Sequence, residues 1–255
     1  MRTKLDGLGQ QLGRKYEISV ASPAGHDKIA NFNLAGLAPS VDFFNLMAYD
    51  FHGTWEKVTG HMSAFTGDPN GYDVKHAVDL YLAAGVNPTK IVLGAPLYTK
   101  AWSGVADGGD GGYLEPASGS APGSFEAGTY DYKDLLAQLQ DPASGWKLYW
   151  DDNAQAAYLY NKSKGLFSSF ETPTSIAQKS EWAQALGLRG MMFWDISNDA
   201  VASPESLVKA AYSSWVLHQS LATIRAQSTL KGEVIIGGDG VITALPASAA
   251  TAVKV

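Results

Sequence analysis

The stretch from Val41 to Gly53, VDFFNLMAYDFHG, constrains the fold more than any other part of the chain. Val41 to Ala48 is apolar apart from Asp42 and Asn45. Such a run reads as a strand buried on both faces, which belongs in a parallel sheet covered by helices. Tyr49 and Asp50 follow at its carboxyl end, then Phe51, His52 and a glycine. Ligands of parallel α/β sheets and barrels gather at that end of the strands. The Tyr49–Asp50 pair therefore reads either as a grip on a polar substrate or as a strand's polar terminus.

The rest of the chain alternates helix and strand, which predicts an α/β fold. Leu5, Leu8 and Leu12 mark a short amphipathic helix stopping near Gly13, and Tyr16–Ala21 a strand ended by Ser22-Pro23. Asp73 reads as the N-cap of a helix with the stripe Val74, Ala77, Val78, Tyr81 and Leu82, closed by Gly85. Lys90–Pro96, KIVLGAP, is a third buried strand. Residues from about 99 to 170 break the alternation and read as an inserted α+β lobe with β pieces at Lys147–Trp150 and Ala157–Asn161. Helical spacing resumes at Thr172-Pro173, a strand is expected over Gly190–Ile196, and a last helix opens at Ser203-Pro204 and runs to Trp215. The expected division is 1–98, 99–170, 171–217 and an appendage at 218–255, with a hairpin around Gly237–Gly240.

Composition narrows the function classes. The net charge of −6 comes without any Lys/Arg run, which argues against a nucleic-acid partner. The absence of cysteine excludes disulfides, thiolate metal sites and cysteine nucleophiles. No apolar run approaches a membrane span or a signal-peptide core, so neither is expected, and no metal or cofactor is called for. Seven Trp and twelve Tyr, several beside Gly, Asp or Asn, suit carbohydrate platforms as well as an ordinary core.

Three ordered motifs carry a resemblance: Met47-Ala48-Tyr49-Asp50, Gly94-Ala95-Pro96-Leu97-Tyr98, and Gly190-Met191-Met192-Phe193-Trp194-Asp195. Together they resemble the C-terminal half of family 18 glycoside hydrolases, the chitinases, whose motifs of this kind close the sixth, seventh and eighth barrel strands. The resemblance covers roughly Leu5 to Trp215. It implies part of a (β/α)8 TIM barrel, about strands five to eight, with the α+β insertion after the seventh. It further implies binding of chitin or chito-oligosaccharides and, for the family, an extracellular location. By the same resemblance Tyr49 holds the acetamido carbonyl, Asp50 contacts sugar and catalytic acid, Trp194 floors the site, Tyr98 lines it and Met47 packs beneath. Lys100 stands where the family commonly has Arg, which keeps the charge but loses the planar fork. Trp55 and Trp102 read either as outer stacking residues or as core.

The family's acid sits in an Asp-x-x-Asp-x-Asp-x-Glu motif at the end of the fourth strand, and its chemistry is substrate-assisted. This chain contains no Asp-x-Asp and no Asp-x-Glu. Its first strand matches the family's fifth, so the residues present begin after the acid, and these residues alone are expected to be inactive. Of the eight glutamates, only Glu56 lies on a loop at the expected active face. Three readings follow: part of a chitin hydrolase, a non-catalytic chitin-binding module, or an α/β protein without a sugar site. The first two allow a partner chain that supplies the missing strands, or self-association.

Overall fold

The computed structural model describes residues 1–230 and two short strands at 234–236 and 242–244. The chain opens with helix α1 (Arg2–Leu12), closed by Gly13 at φ 65° with its amide on the Gly9 carbonyl. Arg2 joins this helix to the next layer, 2.8 Å from Asp6 and 2.7 Å from Asp42. The expected stripe is only partly covered, since Leu8 and Leu12 are exposed.

Strand β1 spans Ser19–Pro23 rather than Tyr16–Ala21. The reason lies in the pairing: Ser19 to Pro23 register against Phe43 to Met47, while the Tyr16 carbonyl is taken by Arg2. Short helices α2 (His26–Ile29) and α3 (Leu34–Leu37) lead into β2 (Phe43–Met47). Burial of β2 on both faces is corrected to burial on one. Phe44 and Leu46 are covered by helix α4 (Val74–Ala83), but Phe43, Asn45 and Met47 on the other face are half-buried. The α4 signals hold: the Asp73 carboxylate accepts from the His76 amide, and Gly85 turns the chain at φ 81°. Of the expected stripe, only Leu82 stays half-exposed.

Strand β3 (Ile91–Pro96) is buried throughout, because it lies between β2 and a later strand in a four-stranded parallel sheet. The lobe follows almost at once. It comprises β4 (Tyr98–Ser103), β5 (Gly119–Ser120), β6 (Thr129–Asp131), α5 (Tyr132–Gln140), β7 (Trp146–Asp151), β8 (Ala156–Asn161) and β9 (Leu166–Phe170). The two expected β pieces are β7 and β8. The lobe is richer than predicted, since β4 and β9 pair antiparallel at its centre and α5 covers one face with Leu135 and Leu136.

Helix α6 (Pro173–Ala185) begins with the Thr172–Ser175 capping box and proline at its first turn. Strand β10 (Gly190–Trp194) completes the parallel sheet against β3. It stops two residues short of Ile196 because the Asp195 carboxylate accepts from the Ser197 amide at 2.9 Å and starts a tight turn. Helix α7 (Leu207–Trp215) starts at Ser206, not Ser203-Pro204, since the Ser206 hydroxyl accepts from the Lys209 amide at 3.1 Å. An unpredicted helix, α8 (Leu221–Gln227), buries Ile224 in the same core. Strands β11 (Val234–Ile236) and β12 (Ile242–Ala244) pair antiparallel, with β11 parallel to β7. The expected turn at Gly237–Gly240 and Glu233 lie outside the described residues. Among the described residues no helix is long and apolar enough to cross a membrane.

Candidate functional site

The sheet order β1-β2-β3-β10, parallel throughout, brings four carboxyl ends to one side. Backbone pairing fixes the spacing there: Trp194 registers with Pro96, and its carbonyl accepts from the Leu97 amide at 2.8 Å. Tyr49 leaves the end of β2 and crosses Gly94 of β3. A Cβ on Gly94 would stand 2.4 Å from the Leu46 carbonyl, 2.9 Å from the Met192 methyl and 3.0 Å from the Tyr49 ring. Only glycine lets tyrosine and methionine close over the strand.

Tyr49 and Tyr98 meet edge to face, with ring centroids 6.1 Å apart, and the Tyr49 hydroxyl points at Met192 Sδ 4.0 Å away. Burial pushes the Tyr49 phenol up to about 12, with the Asp50 charge adding to it. Tyr49 therefore stays a neutral hydrogen-bond donor at physiological pH. The Tyr98 phenol is raised further, by burial first and then by Asp50, to which its hydroxyl is hydrogen-bonded. Asp50 itself sits at φ 56°, in the left-handed region, directly after Tyr49. Partial burial raises its carboxyl above the ordinary aspartate range, against the opposing pull of Lys100 and the Tyr98 hydroxyl.

Lys100, projecting from β4, places its ammonium 3.9 Å from Asp50 Oδ1 and 3.3 Å from Thr129 Oγ1. It also lies 5.9 Å from the Trp55 ring centroid and 5.2 Å from that of Tyr98. Its ammonium is a point charge without the planar fork of a guanidinium.

Met47, Tyr49, Asp50, Trp55, Glu56 and Tyr72 line one cleft of about 450 Å³, together with Pro23, Gly25 and Lys28. Trp55 is 61 % exposed, its ring packed against Gly53. Trp194, equally exposed at 61 %, stands at the end of β10 beyond Met192 rather than in the lining of this cleft. Trp102 is the correction. It is 0 % exposed, meets Phe167 edge to face at 5.7 Å and donates its indole N–H to the Glu56 carbonyl, so it has no face to offer a ligand.

Sequence reasoning passed over His52. Its Nδ1 lies 2.9 Å from Glu56 Oε2 and its Nε2 2.9 Å from Asp68 Oδ2. The i,i+4 spacing to Glu56 was visible in the sequence, but Asp68 comes from a separate turn. The Glu56 carboxylate is thus engaged by imidazole at the cleft wall. No group of three or more His, Asp or Glu among the described residues is arranged to hold a metal ion.

Against known proteins, residues 1–199 match the model for "Glycosyl hydrolases family 18". The chain belongs to that family. It is 37 % identical over 220 residues to "Chitinase A1" of Niallia circulans, covering 82 % of this chain and 31 % of that protein. With "Chitinase 1" of Aphanocladium album it shares 34 % over 219 residues, covering 83 % of this chain and 49 % of that one. Among solved structures, chitinase ChiA74 from Bacillus thuringiensis superposes with a TM-score of 0.77 at 30 % identity, over 84 % of this chain and 38 % of that one. The chain thus spans 31 to 49 % of the length of these relatives. The neighbours share the barrel-family fold and its mixed α/β content.

Proposed function

We propose that these residues form about the fifth to eighth strands of a chitinase barrel with its inserted lobe at 99–170, and that they bind chito-oligosaccharides. One observation carries this reading. Just past the carboxyl ends of neighbouring parallel strands gather a phenol and a carboxylate after β2 (Tyr49, Asp50), a second phenol at the start of β4 directly after β3 (Tyr98) and an exposed indole at the end of β10 (Trp194). A sugar ring offers a flat apolar face to an indole and its acetamido group to a neutral tyrosine hydroxyl. Met47 packs under the site, while Trp55 and Lys100 form its outer wall. Asp50, kept near the acetamido group, positions and polarises it for attack on the anomeric carbon.

The general acid is the part these residues do not supply. Glu56 is tied to His52 and sits beside Trp55, several residues past the strand end. A general acid contributes roughly 10²–10⁴ in rate, so the 255-residue chain binds without measurable hydrolysis. Turnover requires a segment bearing Asp-x-Asp-x-Glu, on this chain's natural extension or on a partner. That engaged state of Glu56 also favours a second reading, a chitin-binding module without catalysis. Both readings place the protein outside the cell, where polymeric chitin is met.

Tryptophan fluorescence titrated with chitohexaose tests the binding. Trp194→Ala is expected to weaken it about tenfold, with little loss of stability because the indole is largely exposed. An equal response to cello-oligosaccharides would remove the acetamido contact assigned to Tyr49. Co-expression with a segment of four βα units ending in Asp-x-Asp-x-Glu separates the two readings: cleavage of a chromogenic chito-oligosaccharide appears only for the hydrolase.

A further inference from the structure

His52 has a carboxylate on each ring nitrogen, at 2.9 Å on both sides. A neutral imidazole donates from one nitrogen only, so the other would confront an oxygen lone pair with its own. Satisfying both contacts takes one further proton. Asp68 is held as an anion: burial pushes its carboxyl up, but bonds from His52 and from the Tyr72 and Asn70 amides bring it below the ordinary range. The two carboxylates sit at separate turns of the connection between β2 and α4. Glu56 follows Trp55, and Asp68 binds the turn that carries Tyr72, with its Oδ1 3.0 Å from the Tyr72 amide. Trp55 and Tyr72 both line the cleft. Gly60 packs against the imidazole on one side, where a Cβ would stand 2.8 Å from its Cγ.

We infer that His52 is a positioning residue whose protonated ring straps the Trp55 loop to the Tyr72 turn, and that the cleft wall loosens when the ring loses its proton. The consequence for ligand rests on the reading of this cleft as a chito-oligosaccharide site; the strap itself does not. The charged surroundings agree. Burial alone would favour the neutral ring, but the hydrogen bonds to Asp68 and Glu56 and their charges outweigh it and raise the imidazole above its ordinary value. Asp50 lies two residues before it on the same loop. Tyr72 meets its ring edge-on at 5.9 Å. Behind Tyr72 stand His26, with ring centroids 4.6 Å apart, and the neighbouring Asp27–Lys28 pair at 3.0 Å. For a group with a raised value, the grip is complete below the ordinary imidazole range of about 6.5 and is lost as pH rises through the raised value.

The test uses the full 255-residue chain without ligand, following the imidazole of His52 and the indole N–H of Trp55 by NMR from about pH 5 to about pH 9. Both signals are expected to move with one shared midpoint above about 6.5. His52→Gln, which donates to one carboxylate only, should hold the Trp55 signal at its high-pH position throughout. Glu56→Gln should hold it at the low-pH position, because a neutral His52 donates to Asp68 and accepts from the new amide. A His52 ring that stays neutral across the range, or a Trp55 signal indifferent to it, overturns the strap. Chitohexaose affinity should fall about tenfold between about pH 6 and about pH 9 in the wild type, the effect of one charged hydrogen bond, and be flat in His52→Gln. Absence of sugar binding at every pH would defeat the chitin reading and leave the strap to be decided by the free chain.

Discussion

Asp50 combines two unfavourable choices at one residue, a left-handed backbone at φ 56° and a carboxylate pushed above its ordinary range by burial. A carboxyl raised by folding adds stability only while protonated. That contribution is full below the unfolded aspartate value of about 3.9 and is lost as pH rises through the folded one. At neutral pH the ionised group therefore opposes the fold. Asn tolerates the left-handed region at least as well and keeps an acceptor for the Tyr98 hydroxyl. Asp50→Asn should then raise Tm by about 1–2 °C at pH 7, a figure discounted for solvent screening. The gain should vanish near about pH 3, while chitohexaose binding weakens. Thermal scans at both pH values check the sign. A lowered Tm at neutral pH would place the Asp50–Lys100 attraction above the burial cost.

Among the elements, α6 is held by a buried charge. Lys179, 1 % exposed, donates to Glu171, to the Ser63 carbonyl at 2.6 Å and to the Ser63 hydroxyl at 3.0 Å. Glu171 also receives the Ser175 hydroxyl at the helix start. Lys179→Met strands the glutamate without its cation and should cost about 3–5 kcal/mol in denaturant unfolding. Adding Glu171→Gln removes the stranded charge and should recover more than half of that loss. Additive losses would show that the two side chains do not act as a pair. None of this was legible in the sequence, where Lys179 is one polar residue on a helix with little amphipathic contrast. What was legible was whatever local chemistry dictates: the apolar runs of β2 and β3, the Asp73 and Thr172 caps, the Gly85 stop, and the aromatic and acidic residues at the strand ends. The lobe strands β4 and β9, YTKAWS and LFSSF, were not, because antiparallel strands mix polar and apolar residues and owe their register to distant partners. For the same reason the sequence left Trp102 open between stacking platform and core: an aromatic count does not say which rings a sheet will cover. His52 was missed because its second partner lies on another turn.

At the scale of the whole molecule, the parallel sheet has edges at β1 and β10, each paired on one side only among the described residues. Such edges carry unpaired amides and carbonyls, and the face bearing Phe43, Asn45 and Met47 is half open. The 255-residue chain should therefore self-associate in concentration-dependent fashion in analytical ultracentrifugation, and co-expression of the segment of four βα units proposed above should suppress it. A monodisperse monomer with a sharp cooperative transition would speak against the half-barrel reading. The junction between sheet and lobe has a different bearing. Strand β3 ends at Pro96 and β4 begins at Tyr98, so Leu97 alone separates them; it is fully buried, with its amide on Trp194 and its carbonyl on the Tyr132 amide. The return path is one residue longer, with only Glu171 and Thr172 between β9 and α6. A joint of that length offers no torsions that are free to turn. The lobe is thereby fixed against the strand ends, and the 3.9 Å at which it holds Lys100 from Asp50 is decided at folding rather than by a moving part.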